Sequence, residues 1–424
     1  MERTEQPIVT KSQLVRDLQR LGVKSGDSVE LHASVKAIGH VVGGPTSVLR
    51  SLFDVLGRDG TLMMLASWDD SPYELEQWSE KRQRAYMAEG PAFDPATSPA
   101  FPGWSILAEH LRTWPGACRS GNPDKSIAAV GAKAAWLTSN HPLQNGYGAG
   151  SPLAKLYEAG GRVLLLGAPL NTITSLHYAE HLARIPNKRT VRYKMPLLRD
   201  GQREWVEIEE LDSGEGIVDW VGGDSFPAIA REFLASGRGR MGTVGGAQSR
   251  LFQARELVDF AVEWMEREFT KPGATGERCV RRATAEDIEA ICALYERVAE
   301  EGVAWGLVAA TREAIREQLG SFSIVAELKG RIIGFGAGSV HTSDVRYSAV
   351  TPVGDRYLEV DDLFVAPEFR SQGTGRRLLR AVIDAAQAEG IERIHVFSTT
   401  KDHDAVLRFY RRHGFEPWGV QLFR

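Results

Sequence analysis

At 424 residues, with 43% hydrophobic and 25% charged side chains, the chain is longer than one hydrophobic core supports and has an ordinary globular composition, so two domains or three are expected. The formal net charge of −4 argues against a nucleic-acid partner, which usually needs a basic domain or stripe, and suits a cationic ligand. Cys118, Cys279 and Cys292 are too scattered for a disulfide framework or a metal site, and neither an apolar h-region nor a run of eighteen apolar residues occurs, so the expected setting is the cytoplasm, with no metal and no membrane.

Apolar runs at 28–32, 61–66 and 162–167 alternate with helical periodicity at 11–21, 45–56 and 151–159, a pattern that predicts layered α/β structure. A periodic helix over 254–269, with Leu257, Val258, Ala261, Val262 and Met265 on one stripe, closes a first domain spanning 1–270. Residues 271–277, KPGATGE, read as a linker. From 278 to 424 the pattern predicts helix 284–299, strands 322–328, 331–340 and 357–365, helix 373–389, strand 393–397 and helix 404–412, a smaller mixed α/β domain. The two halves share no period or motif.

The string from Val163 to Lys188, VLLLGAPLNTITSLHYAEHLARIPNK, reads as a buried strand, a polar loop and a helix entered through Leu176 and His177. A neutral imidazole near a helix start is disposed to act as a base, although a histidine there can equally cap or pack. The same string, with GTLMMLASWDDSPYE (60–74), PAFDPATSPA (91–100) and GRMGTVGGAQSRLFQARELVDF (239–260), resembles the aminoglycoside 3-N-acetyltransferases, a non-GNAT antibiotic acetyltransferase family, over about 15–269.

That resemblance implies acetyl-CoA as cosubstrate, an aminoglycoside amine as acceptor, and His177 as catalytic base with the His177–Glu180 spacing part of the motif. It also implies a supporting acid downstream, where Asp224 fits the spacing best and Glu210, Asp212 and Asp219 are the alternatives. A polyammonium drug needs carboxylates to pair with. Asp69, Asp70, Glu74, Asp94, Glu210 and Asp212 are the expected substrate contacts, with Trp68 and Tyr73 covering sugar faces. His32, Ser34, Val35 and Lys36, followed by Gly43-Gly44-Pro45, resemble the segment that takes the pantetheine and phosphates, and Thr172 and Thr174 would lie on the thioester side. Ala33 stands where the family usually has a second serine.

In the second domain a strand ending in Phe364 and Val365 leads through Ala366-Pro367-Glu368-Phe369 into Arg370-Ser371-Gln372-Gly373-Thr374-Gly375 and an amphipathic helix. A glycine turn at a helix amino terminus suits a pyrophosphate, because free N–H groups and the dipole face the ligand. With its Tyr410-x-x-x-Gly414-Phe415 ending, 278–424 resembles the GNAT acetyltransferases. This implies coenzyme contacts from Phe364, Val365, Arg370, Gln372, Gly373, Thr374 and Gly375, and a thiolate-protonating role for Tyr410, a phenol of pKa about 10. His403 stands where that family often has asparagine, and Glu359 and Asp361 are candidates for the base. The expectation is acetyl transfer to an aminoglycoside amine, the 3-amino group foremost, giving resistance, with the GNAT domain acting on another amine. The alternatives are another natural-product amine as acceptor and a degenerate GNAT module that only binds coenzyme or drug. A homodimer is left open.

Overall fold

The computed structural model describes residues 8–419, which form two compact units. The first takes the chain up to 213 and again from 225 to 270; the second takes 214–224 and everything from 271.

Local signals build the first unit. In the helix Lys11–Leu21, Leu14, Leu18 and Leu21 recur at helical spacing and are buried, the Thr10 hydroxyl accepts from the Gln13 N–H, and Gly22, in the left-handed region, ends it. The sheet has seven strands in the order Arg240–Val244, Ala247–Gln253, Arg162–Leu166, Ser28–Ala33, Thr61–Leu65, Ile127–Gly131 and Cys118–Arg119. The central three run parallel. They are covered on both faces, which is why they read as unbroken apolar runs rather than as alternation. Helices Lys11–Leu21 and Gly44–Leu56 pack together over a core that includes Leu18, Leu49, Leu52 and Leu164. Ala254–Phe269 runs against Ser175–Leu182 and Ser225–Ala235. A hairpin that the sequence analysis did not single out, Thr190–Arg199 with Gln202–Leu211, turns at Asp200 and Gly201, whose φ values of 49° and 76° suit the twist of a two-residue turn.

The second unit carries a five-stranded sheet in the order Arg278–Arg282, Ile324–Leu328, Arg331–Thr342, Arg356–Val365, Arg393–Val396. The first four pair antiparallel and the last pairs parallel, from Tyr357 opposite Arg393 to Val360 opposite Val396. Beyond Val360 the longer strand runs on to Val365 without that neighbour. Helices Ile288–Glu300 and Thr374–Ala388 contribute Ile291, Leu294, Leu378 and Val382 to its core, against Val325 and Phe335.

The units part from the expected boundary at one place. Residues 214–224 leave the first unit, and within 271–277 the short strand Thr275–Gly276 pairs antiparallel with Asp219–Trp220. The cause is a buried ion pair and a ladder bond: an Asp219 carboxylate oxygen lies 2.9 Å from an Arg278 guanidinium nitrogen, and the Val221 N–H donates to the Ala274 carbonyl at 2.9 Å. No helix among the described residues is long and apolar enough to cross a membrane.

Candidate active site

The parallel strands Ser28–Ala33 and Arg162–Leu166 lie side by side and end together, opposite Ala33 and Leu166. In an α/β sheet the crevice outside such carboxyl ends is the usual ligand site. One strand leads into Ser34 and the other into Gly167, whose φ is 70°. Gly167 has no room for a side chain, since a Cβ there would lie 2.7 Å from the Ala37 Cβ and 3.0 Å from that of Ala247. The chain then makes a 3-10 turn, Leu170–Thr172, and enters the helix Ser175–Leu182.

On that helix His177 and Glu180 sit three residues apart, so their side chains share a face, and His177 Nδ1 lies 2.6 Å from Glu180 Oε2. A carboxylate has no proton to give, so Nδ1 carries the hydrogen and the ring's lone pair is at Nε2. Among the described residues nothing bonds Nε2. The imidazole is stacked on Tyr147, centroids 4.8 Å apart and planes within 3°, and meets the edge of Phe226 at 4.8 Å. Glu180 is 7% exposed against 19% for His177, so the carboxylate is the inner partner. Lys188 Nζ donates to the Glu180 carbonyl at 2.6 Å.

Behind Tyr147 lies a buried charge cluster. Lys125 Nζ stands 5.1 Å from the Tyr147 ring centroid, 2.6 Å from Asp124 Oδ2 and 3.1 Å from Glu210 Oε1, and it donates to the Ser213 hydroxyl at 3.0 Å. The Tyr193 hydroxyl donates to Glu210 Oε1 at 2.8 Å. Burial pulls the Lys125 ammonium down, but Asp124 and Glu210 outweigh it and hold it well above the usual lysine value. Burial pushes Glu210 up against the opposing pull of Lys125. Of the expected substrate contacts, Glu210 and Asp212 are therefore buried, and Glu210 is already engaged by Lys125 and Tyr193.

Asp69 and Asp70 are exposed, and Asp69 is raised by partial burial, by Asp70 and by Glu109. Glu74 is half-buried. Asp94 caps its own turn, accepting from the Ala96 N–H at 3.0 Å and the Thr97 hydroxyl at 2.8 Å. Trp68 is no sugar platform: it is 2% exposed and packs on Phe93 and Leu197.

On the coenzyme side, the Ser34 N–H donates to the Leu166 carbonyl at 3.0 Å, Val35 opens the short helix Val35–Ile38, and Lys36 is exposed. Gly43, at φ 82°, caps the thirteen-residue helix Gly44–Leu56, with Pro45 in its first turn. An exposed lysine and a glycine-capped helix start fit the phosphates of acetyl-CoA. His32 is not presented to a ligand: its Nε2 lies 3.4 Å from the Thr174 N–H nitrogen and 3.5 Å from Glu30 Oε1. Glu30 is fully buried, accepts from the Ser175 hydroxyl, and keeps Oε1 without a hydrogen-bond partner among the described residues. The Thr172 hydroxyl is spent on the Pro169 carbonyl at 2.8 Å.

Asp224, the acid expected beside His177, falls in the second compact unit, where its N–H donates to the Glu368 carbonyl at 2.6 Å. The carboxylate at the imidazole Nδ1 is that of Glu180.

Residues 31–266 match the family model of the aminoglycoside 3-N-acetyltransferases. The chain belongs to that family. Aminoglycoside N(3)-acetyltransferase III of Pseudomonas aeruginosa is 48% identical over 267 residues, covering 63% of this chain and 97% of its own. Among solved structures, AAC-IIIb in a binary complex with CoASH is 44% identical with a TM-score of 0.59, over 62% of this chain and 99% of its own. AAC-VIa bound to sisomicin is 43% identical with a TM-score of 0.58, over 61% and 98%. Residues 288–415 match the GNAT acetyltransferase family, so this aminoglycoside 3-N-acetyltransferase family member carries a C-terminal GNAT domain.

In that GNAT domain Gly373, at φ 72°, caps the helix Thr374–Ala388, while Gly375 has ordinary backbone and a Cβ there would meet Phe409 and Val365 at 3.7 Å. The loop is braced from within: Arg278 bonds the Gln372 carbonyl and the Thr374 hydroxyl, and Gln372 is buried. Arg370, expected on the coenzyme, pairs with Glu301 at 2.6 Å and donates to the Val365 carbonyl at 2.9 Å. Phe364 packs on Tyr295. Tyr410 lies between Phe409 and Phe415, and burial pushes its phenol to about 12.

Sequence reading missed Glu30, Asp124, Lys125 and Tyr147. Glu30 carried a signal, a lone acid inside the buried strand SVELHA; the other three have no local pattern.

Proposed function

We propose that this aminoglycoside 3-N-acetyltransferase transfers the acetyl group of acetyl-CoA to the 3-amino group of an aminoglycoside, with His177 as general base and Glu180 as its orienting acid. One observation carries the reading: Nδ1 is tied to a buried carboxylate at 2.6 Å, which leaves Nε2 as the only basic atom of the ring. Bound acetyl-CoA would supply an activated thioester carbonyl. Lys36 and the amino terminus of Gly44–Leu56 would hold its phosphates.

The drug amine arrives as an ammonium. Nε2 takes a proton from it, and Glu180 stabilises the imidazolium as it forms. The freed nitrogen attacks the acetyl carbon, the carbon–sulfur bond breaks and an amide forms. Of the two protons the nitrogen gives up, one ends on the coenzyme sulfur and one passes to solvent. Exposed Asp69 and Asp70 attract the polycation, and the product has lost one cationic donor, which weakens its hold on ribosomal RNA phosphates and confers resistance. We place this reaction in the cytoplasm.

Incubation of the full chain with acetyl-CoA and sisomicin, followed by NMR of the product, tests the reading. Acetyl on the 3-nitrogen is expected. Coenzyme turnover with uncharged natural-product amines but none with aminoglycosides would overturn it.

A further inference from the structure

The helix Thr374–Ala388 starts from a left-handed glycine and bears two arginines, Arg376 and Arg377, in its first turn. Fixed N–H groups, a helix dipole and two guanidinium forks make a cradle for a phosphate anion. In this protein the cradle already holds an anion. The Glu215 carboxylate accepts from Arg376 through one oxygen and from Arg377 through the other. Its side chain is only 10% exposed. It lies so close to the capping glycine that a Cβ on Gly373 would fall 2.7 Å from Glu215 Cγ and 2.9 Å from its Oε1.

Glu215 is not a wandering surface side chain. The segment that bears it is pinned to the second unit by the strand pair Asp219–Trp220 with Thr275–Gly276, by the buried Asp219–Arg278 ion pair, and by the Asp224 N–H on the Glu368 carbonyl. Gly223 sits where a Cβ would lie 2.2 Å from that same carbonyl oxygen. Burial alone would raise the Glu215 acid, but hydrogen bonds from Arg377 and Arg376 outweigh it and hold it below the ordinary glutamate value, so it is ionised at neutral pH.

We propose that Glu215 is a built-in substitute for the coenzyme's phosphate, closing the cradle of the second unit so that acetyl-CoA binds there only by displacing it. The inference rests on reading residues 288–415 as a coenzyme-binding GNAT domain. Two arginines cannot be satisfied by a carboxylate and a pyrophosphate in one place, so the two anions compete and the apparent affinity falls by the fraction of time the cradle is open.

Calorimetric titration of the full chain with acetyl-CoA, wild type against Glu215→Ala, tests this. The variant is expected to bind one more coenzyme per chain than wild type at a concentration that just saturates the first unit, the added site being tightened by roughly tenfold or more. Should Glu215→Ala misfold, the isosteric Glu215→Gln carries the same expectation. In wild type, hydrogen exchange at residues 214–218 should speed up under saturating acetyl-CoA. Two coenzymes bound with equal affinity in both proteins would overturn the gating while leaving the GNAT reading intact. An unchanged count of one in both, with exchange at 214–218 unmoved, would overturn both.

Discussion

Glu180 Oε2 lies 2.6 Å from His177 Nδ1, one turn along the same helix, and the histidine is stacked on Tyr147 and in edge contact with Phe226. Orientation and tautomer are thus set by residues that need not touch the drug. His177→Ala should leave both ligands bound within a few-fold and lower acetylation at the 3-amino position by about 10²–10⁴. Glu180→Gln keeps the shape but loses the charge and the fixed tautomer, and should lose most of the same factor in kcat with little change in KM. Product analysis by NMR keeps any activity of the second unit out of the measurement. Near-parental rates for His177→Ala would make the imidazole structural.

Asp69 and Asp70 stand exposed and adjacent, and Asp69 holds its proton more tightly than an ordinary aspartate. A polycation drawn by such charges feels an attraction screened over about 8–10 Å at physiological salt. Asp69→Asn and Asp70→Asn should each raise KM for the drug several-fold at low salt, and the difference from wild type should shrink at 0.5 M salt. Equal KM values in all three proteins at low salt would remove these residues from the drug site.

His141 is buried, with Nε2 2.6 Å from the Gly146 carbonyl and Nδ1 2.8 Å from the Ser120 hydroxyl, so the carbonyl takes the Nε2 proton and the neutral ring is the one that fits. Burial lowers it from its ordinary value to about 4. A group whose folded value is depressed contributes stability that is present above its unfolded value, about 6.5, and is lost as the pH falls toward 4. The first unit should therefore weaken across that window, by at most about 3 kcal/mol from this residue. His141→Gln, which can still donate to Gly146, should flatten the acid arm in urea titrations at pH 7, 6, 5 and 4. An unchanged slope would assign the acid loss elsewhere.

Arg278 and Asp219 form a fully buried ion pair, whereas Arg346 and Asp344 form an exposed one. Asp219→Ala removes a buried countercharge of Arg278 and should cost about 3–5 kcal/mol, while Asp344→Ala should leave the unfolding midpoint nearly unmoved. Guanidinium unfolding followed by tryptophan fluorescence compares them. Because Asp219 also holds the segment bearing Glu215, its variant should bind acetyl-CoA in the second unit more readily, and an unchanged or weaker affinity there would count against the pinning described above.

Much of this was legible in order along the chain. Helices such as Lys11–Leu21 and Ala254–Phe269, the buried strands, the His177–Glu180 spacing and the glycine loop at 373–375 are carried by neighbours within a few residues, because helix periodicity, capping and turn chemistry are local. The hairpin of Thr190–Arg199 and Gln202–Leu211 was not singled out, although Val191, Tyr193, Met195 and Leu197 recur at every second position as in a half-buried strand.

Three things were decided only in the tertiary structure. Lys125, Tyr147 and Glu210 come together across 85 residues of chain to back the histidine, an arrangement set by burial and charge balance rather than spacing. Asp224 belongs to the second unit, in the segment that the pairing of Asp219–Trp220 with Thr275–Gly276 ties there. Glu215, which the sequence analysis did not single out, meets Arg376 and Arg377 from 161 and 162 residues away. Residue type and local spacing determined which groups could act; which of them meet was decided by long-range closure, where a buried charge must find its partner however distant in sequence.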